Sequence, residues 1–149
     1  MIKNTHHSLD TETVKRIVQA VCLDGVKPSE FDVMVNNARC ALKGRAYTTG
    51  SAYHATARPF ITAGLGHEAN YPHTTIGGKD MGKGYLSFTL YTIVEGLVFI
   101  LAHEIRHIWQ GKYKGMKRVY GSKGIFSERD ADAYAIHCVR RFRRGELLP

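Results

Sequence analysis

Two histidines and a glutamate stand at 103, 107 and 104, in the run His103-Glu104-Ile105-Arg106-His107. On an α-helix, side chains four residues apart lie one above the other on one face. Two imidazoles placed this way can bind a single zinc ion at about 2.0–2.1 Å. Glu104 sits about 100° further round the helix. There it flanks the metal as a general base toward water rather than joining the ligands. Burying these three polar groups late in an apolar helix is costly unless they have a partner. A solvated turn of the same helix is the simpler rival reading.

A catalytic zinc ion generally has three protein ligands and one open position. The metzincin spacing would require Gly at 110 and His at 113, but the chain has Gln110 and Tyr113. Further on, Glu128, Ala131, Asp132 and Ala135 fall on one face of a second helix. The small alanines would let that helix press against the one bearing the histidines. Glu128 could then reach the metal, and Asp132, one turn on, could accept a hydrogen bond from a ligand histidine. Asp132 is the rival third ligand, although its shorter side chain and the E-x-x-A-D spacing favour Glu128. His137 lies nine residues after Glu128, on the opposite side of the helix, and reads as a surface or packing residue. Tyr120, His67 and His73 are further candidates, each able to stabilise a developing oxyanion. Trp109 reads as a core aromatic.

HEIRH followed by E-x-x-A-D-x-x-A resembles the gluzincin metallopeptidases, in particular the small minigluzincins and the SprT-like and phage-type zincins. The likeness runs from about Tyr91 to Val139, with Arg106 a departure from it. It implies one zincin-like metallopeptidase domain over residues 1–149, with a small twisted sheet, an active-site helix and a second metal-ligand helix. It also implies one Zn2+ on His103, His107 and Glu128, with Glu104 as catalytic base and a protein or peptide as substrate. In such folds an edge strand beside the cleft pairs with extended substrate, and Pro59 to Gly64 is the expected strand.

The elements that must position these groups are readable in outline. Val14, Ile17, Val18 and Val21 recur at helical spacing between Thr11 and Cys22, with Asp10 or Thr11 as cap and Gly25 and Pro28 beyond. Short β-branched or alternating runs at Phe31–Val35, Ala41–Thr48 and Pro59–Gly64 predict strands. Gly66–Gly84 holds five glycines and reads as a long loop or irregular hairpin. A core helix is expected from about Tyr91 to Gln110–Gly111, and a last helix from Ser127, its N-cap, to Arg144. The fold class is therefore α+β.

The 149 residues suit one domain, and 44% apolar residues suffice for a core. The N-terminus shows no secretory pattern. The run Ile93–Ala102 is far short of the roughly 20 residues of a membrane span. Three cysteines, Cys22, Cys40 and Cys138, suit a reducing cytoplasm and small buried positions. From Gln110 onward ten Lys or Arg face four Asp or Glu, giving +6 of the chain's +8. That excess reads either as a solvated helix face with a basic tail or as a surface for nucleic acid or an acidic partner. Two alternatives to a peptidase follow. One is a nucleic-acid-associated protein on this fold, including a DNA-linked SprT-like protease, and the other is a non-catalytic zinc-binding module.

Overall fold

The computed structural model describes residues 1–47, 58–77, 86–112 and 125–148. Six strands and three α-helices make up these residues: β1 (Ile2–Asn4), α1 (Thr11–Val21), β2 (Asp32–Asn37), β3 (Leu42–Tyr47), β4 (Phe60–Leu65), β5 (His73–Gly77), β6 (Leu86–Leu90), α2 (Ile93–Lys112) and α3 (Ile125–Arg143). The class is mixed α+β, as the sequence implies.

Four strands form a sheet in the order β1-β2-β4-β3, with β1, β2 and β4 parallel and β3 antiparallel to β4. Alternation decides which face is covered. Val33, Val35, Ile61, Ala63 and Leu65 are buried beneath the helices, while Met34 on the other face is exposed. α1 adds Val14, Ile17, Val18 and Val21 to that core, and the Asp10 carboxylate accepts from the Thr13 N–H at its start. Each such aliphatic contributes about 1.5–3 kcal/mol on leaving water.

α2 is buried on nearly every side, which its lack of a polar stripe anticipates. Glu95, which breaks its apolar run, does specific work. The Tyr91 N–H donates to Oε1 at 3.1 Å, and Thr92 Oγ1 accepts from the Glu95 N–H. The same Oε1 receives Arg143 from the far end of α3. Tyr71 closes the other flank. Its hydroxyl donates to Ala41 O at 2.7 Å, and a Cβ on Gly96 would lie 2.2 Å from that hydroxyl oxygen. Only glycine lets the phenol tie the start of β3 against α2.

Several expectations change. The strand predicted at Pro59–Gly64 is central rather than an edge, because β2 and β3 flank it. Among the described residues, the edge strand next to α2 is β3. The Gly66–Gly84 stretch contains a short 3-10 turn at Glu68–Asn70 and then β5, which pairs with β6 to form the hairpin alternative. β1, three residues long, is too short to show a period. α3 begins at Ile125, so Ser127 is not its cap but a buried residue within its first turn. Cys40 is exposed, not buried, and Trp109 is only partly buried at the core's margin. Among the described residues no helix is long and apolar enough to cross a membrane.

Candidate metal centre

α2 and α3 run antiparallel, and Ala131 and Ala135 are fully buried between them. Two small side chains there allow close approach, which brings Glu128 opposite both histidines. His103 Nε2 lies 3.1 Å from His107 Nε2, His107 Nε2 lies 3.1 Å from Glu128 Oε1, and His103 Nε2 lies 3.2 Å from Glu128 Oε2. The three side chains thus form a compact triangle in which each imidazole meets a different oxygen of Glu128. A tetrahedral ion at 2.0–2.1 Å from each would separate its ligands by about 3.3 Å. A His-His-Glu group of these dimensions can hold a metal ion.

Glu104 is 4% exposed, and its Oε1 stands 3.9 Å from His103 Nε2. It is therefore beside the triangle and not part of it. Burial raises its pKa, against the pull of the two histidines. Glu128 moves the other way, because hydrogen bonds from His103 and His107 hold its carboxyl well below the usual carboxylate range. Burial lowers the pKa of His103, but Asp132, Glu128 and Glu104 outweigh it and push the imidazole up to about 10. Asp132 Oδ1 lies 2.9 Å from His103 Nδ1. That nitrogen still lacks a well-directed hydrogen bond, so the contact is an ion-pair approach at a poor angle. Even so, it leaves Nε2 turned to the triangle.

His107 is held by a fuller network. Gln110 Oε1 accepts from its Nδ1 at 2.8 Å and from Ser127 Oγ at 2.7 Å. The Gln110 amide nitrogen donates to Ser127 O at 3.0 Å and to Asp130 Oδ2 at 2.8 Å. Turning the amide over would set its oxygen against two acceptors, so the network fixes its orientation. It thereby fixes the proton of His107 on Nδ1 and frees Nε2 as a ligand. Asp130 also takes a two-pronged pair from Arg106, at 2.6 and 2.9 Å. The Arg106 guanidinium lies 4.0 Å over the Trp109 ring. Arg106 is thus a link between α2 and α3.

Gln110, Ser127, Asp130 and Arg106 carry roles the sequence did not disclose. The available signal was spacing, since Gln110 is three residues after His107 and so shares its face. Of the other predicted residues, His137 is exposed, as expected. His67 is exposed at the turn after β4, and His73 lies in β5. Neither belongs to the metal-holding group. Tyr120 falls outside the described residues.

The basic C-terminal third is partly neutralised. Lys112 pairs with Glu30, Arg143 with Glu95, and Arg141 and Arg144 with Glu146. Comparison with protein-family models, curated proteins and solved structures gives no match to this chain.

Proposed function

We propose that this protein is a zinc-dependent metallopeptidase of the gluzincin kind. The observation that carries this reading is the triangle of His103, His107 and Glu128 with the buried carboxyl of Glu104 at its side. The three ligands would hold zinc, and the ion would supply Lewis acidity to water and to a carbonyl oxygen. Glu104 would take a proton from the attacking water and return it to the departing amine nitrogen. A carboxyl whose pKa is raised by burial suits both halves of that transfer. Gln110 orients the His107 imidazole, and the Asp132 carboxylate stands against the far nitrogen of His103.

The edge of β3 supports a peptide as substrate. A Cβ on Gly44 would fall 2.8 Å from Glu104 Oε1 and 2.6 Å from Ile100 Cδ1. The backbone of this edge strand thus runs directly over the carboxylate, where an extended peptide added alongside would bring its own backbone to the site.

Metal content measured by mass spectrometry tests the reading. Near-stoichiometric zinc is expected in the wild type and in Glu104→Gln, with most of it kept in Asp132→Ala and none in Glu128→Ala. Peptide cleavage should vanish in Glu104→Gln. Cleavage that persists in Glu104→Gln, or a wild type that takes up no zinc on reconstitution, would overturn the assignment.

A further inference from the structure

The C-terminal end of α3 and the end of β6 share a surface that the metal site does not use. Arg140, Arg141, Arg143 and Arg144 lie here, and the carboxylates they meet are Glu95 and Glu146. Four guanidinium groups against two carboxylates leave an excess of two positive charges. Cations near a helix C-terminus offset its dipole, which accounts for basic residues in this turn. It does not account for the two aromatic rings laid against them. The Arg143 guanidinium carbon lies 4.9 Å from the Phe88 ring centroid and 5.0 Å from that of Tyr91. The Arg140 carbon lies 5.8 Å from Phe88. Ring and cation therefore alternate in the order Tyr91, Arg143, Phe88, Arg140, each contact within the roughly 6 Å reach of a cation–π pair.

The two ends of this row are open. Tyr91 is 60% exposed. Arg140 is exposed too, and among the described residues no carboxylate pairs with it. Arg143, between the rings, is instead held in place by Glu95 and by Thr89 O. It acts as a fixed spacer. His137 and Arg144 stand three residues before and four after Arg140, so all three share one exposed face of α3. The pair of Arg144 with Glu146 is exposed and of the kind that contributes little.

A partner that fits this row must offer a flat π face and, close beside it, an anion. Every unit of single-stranded nucleic acid has both, as a base and a phosphate. An acidic peptide supplies the charge but sets no flat group on Tyr91, and a duplex keeps its bases stacked inside. We infer that this surface binds single-stranded nucleic acid, with a base stacked on Tyr91 and a backbone phosphate held by Arg140. Such stacking tolerates any sequence, because every base has a π face. The stacked guanidinium keeps its N–H edge for phosphate oxygens. Arg140 lies twelve residues beyond Glu128 on α3, about 18 Å at 1.5 Å per residue. The strand thus lies away from the metal triangle, and the inference does not depend on the metallopeptidase reading.

The test follows a fluorescein-labelled oligothymidylate by anisotropy, with the full chain at low salt. Binding should weaken about five- to a hundredfold in Tyr91→Ala, as the loss of one stacked base does, and should persist in Tyr91→Trp. Arg140→Gln should lessen the slope of log K against log salt by about 0.7, the share of one phosphate contact on a single strand. Both side chains are exposed, so Tm and zinc content in these variants should match the wild type. Unlabelled oligothymidylate should displace the label, whereas a hairpin duplex and polyglutamate should compete poorly. Equal displacement by polyglutamate would make this a surface for acidic polypeptides, and equal displacement by the duplex would remove the preference for single strands. Either result overturns the inference. So does an absence of oligonucleotide binding, or wild-type affinity in Tyr91→Ala/Arg140→Gln. All of these outcomes leave the metallopeptidase reading as it stands, since zinc uptake and peptide cleavage are measured separately.

Discussion

Glu104 and Glu128 belong to one site, yet their carboxyls titrate in opposite directions. Glu104 is raised by burial, whereas Glu128 is lowered because each of its oxygens meets an imidazole. Against burial, which lowers it, Asp132 first, then Glu128 and Glu104, push His103 up to about 10, so the metal-free imidazole carries a proton at neutral pH. A metal must displace that proton, so protons compete with the ion. His103 is raised, not lowered, so the sign is fixed: apparent zinc affinity should climb with pH, by about tenfold per unit for one displaced proton, toward pH 10. Competition titrations with a chromophoric chelator at pH 6.5, 7.5 and 8.5 would show it, and a flat profile would contradict it. Gln110→Ala should weaken zinc by roughly 10–100-fold, as losing a ligand-orienting partner typically does. Gln110→Glu keeps the acceptor for His107 Nδ1 but sets its second oxygen against Ser127 O and Asp130 Oδ2, so it should recover little of that loss.

At the scale of elements, α2 and α3 are fastened at both ends, by Glu95–Arg143 and by Arg106–Asp130. The second pair is nearly out of solvent, its side chains 18% and 16% exposed. Removing one partner of a fully buried pair costs about 3–5 kcal/mol, and partial exposure reduces that. Asp130→Ala should therefore destabilise by about 2 kcal/mol, lowering Tm by roughly 4–8 °C in a calorimetric scan. An unchanged Tm would mean that the pair adds nothing to the helix contact. Gly44→Ala tests the strand. The added methyl must displace Ile100 or the Glu104 carboxylate, with an overpacking cost of about 1–3 kcal/mol. Turnover should fall at least about tenfold while zinc content holds, because no ligand is touched.

For the whole molecule, a metal held by His103, His107 and Glu128 would link two helices that otherwise meet through side chains alone. An ion present at a thousandfold its Kd stabilises the folded state by about 4 kcal/mol. Chelation should accordingly lower Tm by roughly 10 °C, and added zinc should restore it. A smaller shift would mean that the α2–α3 contact is already complete without the ion.

HEIRH and the E-x-x-A-D face were legible because both are local. Helical periodicity alone decides which side chains share a face, so His103 with His107, and Glu128 with Asp132, can each be paired without knowing the fold. The strong helices were legible for the same reason. Strand order was not, since pairing joins residues far apart in the chain, and alternation names a strand's faces without naming its neighbours. The expectation for Pro59–Gly64 failed on this point, because its β-branched run is equally that of a central strand. The role of Arg106 stayed hidden likewise, because nothing in the sequence sets it against Asp130, 24 residues on. The sequence by itself determined which side chains share a helix face, His103 with His107 and Glu128 with Asp132, through the geometry of single helices. Only the tertiary structure decided what orients those side chains and which strand borders them, because both depend on contacts made when separate elements close on one another.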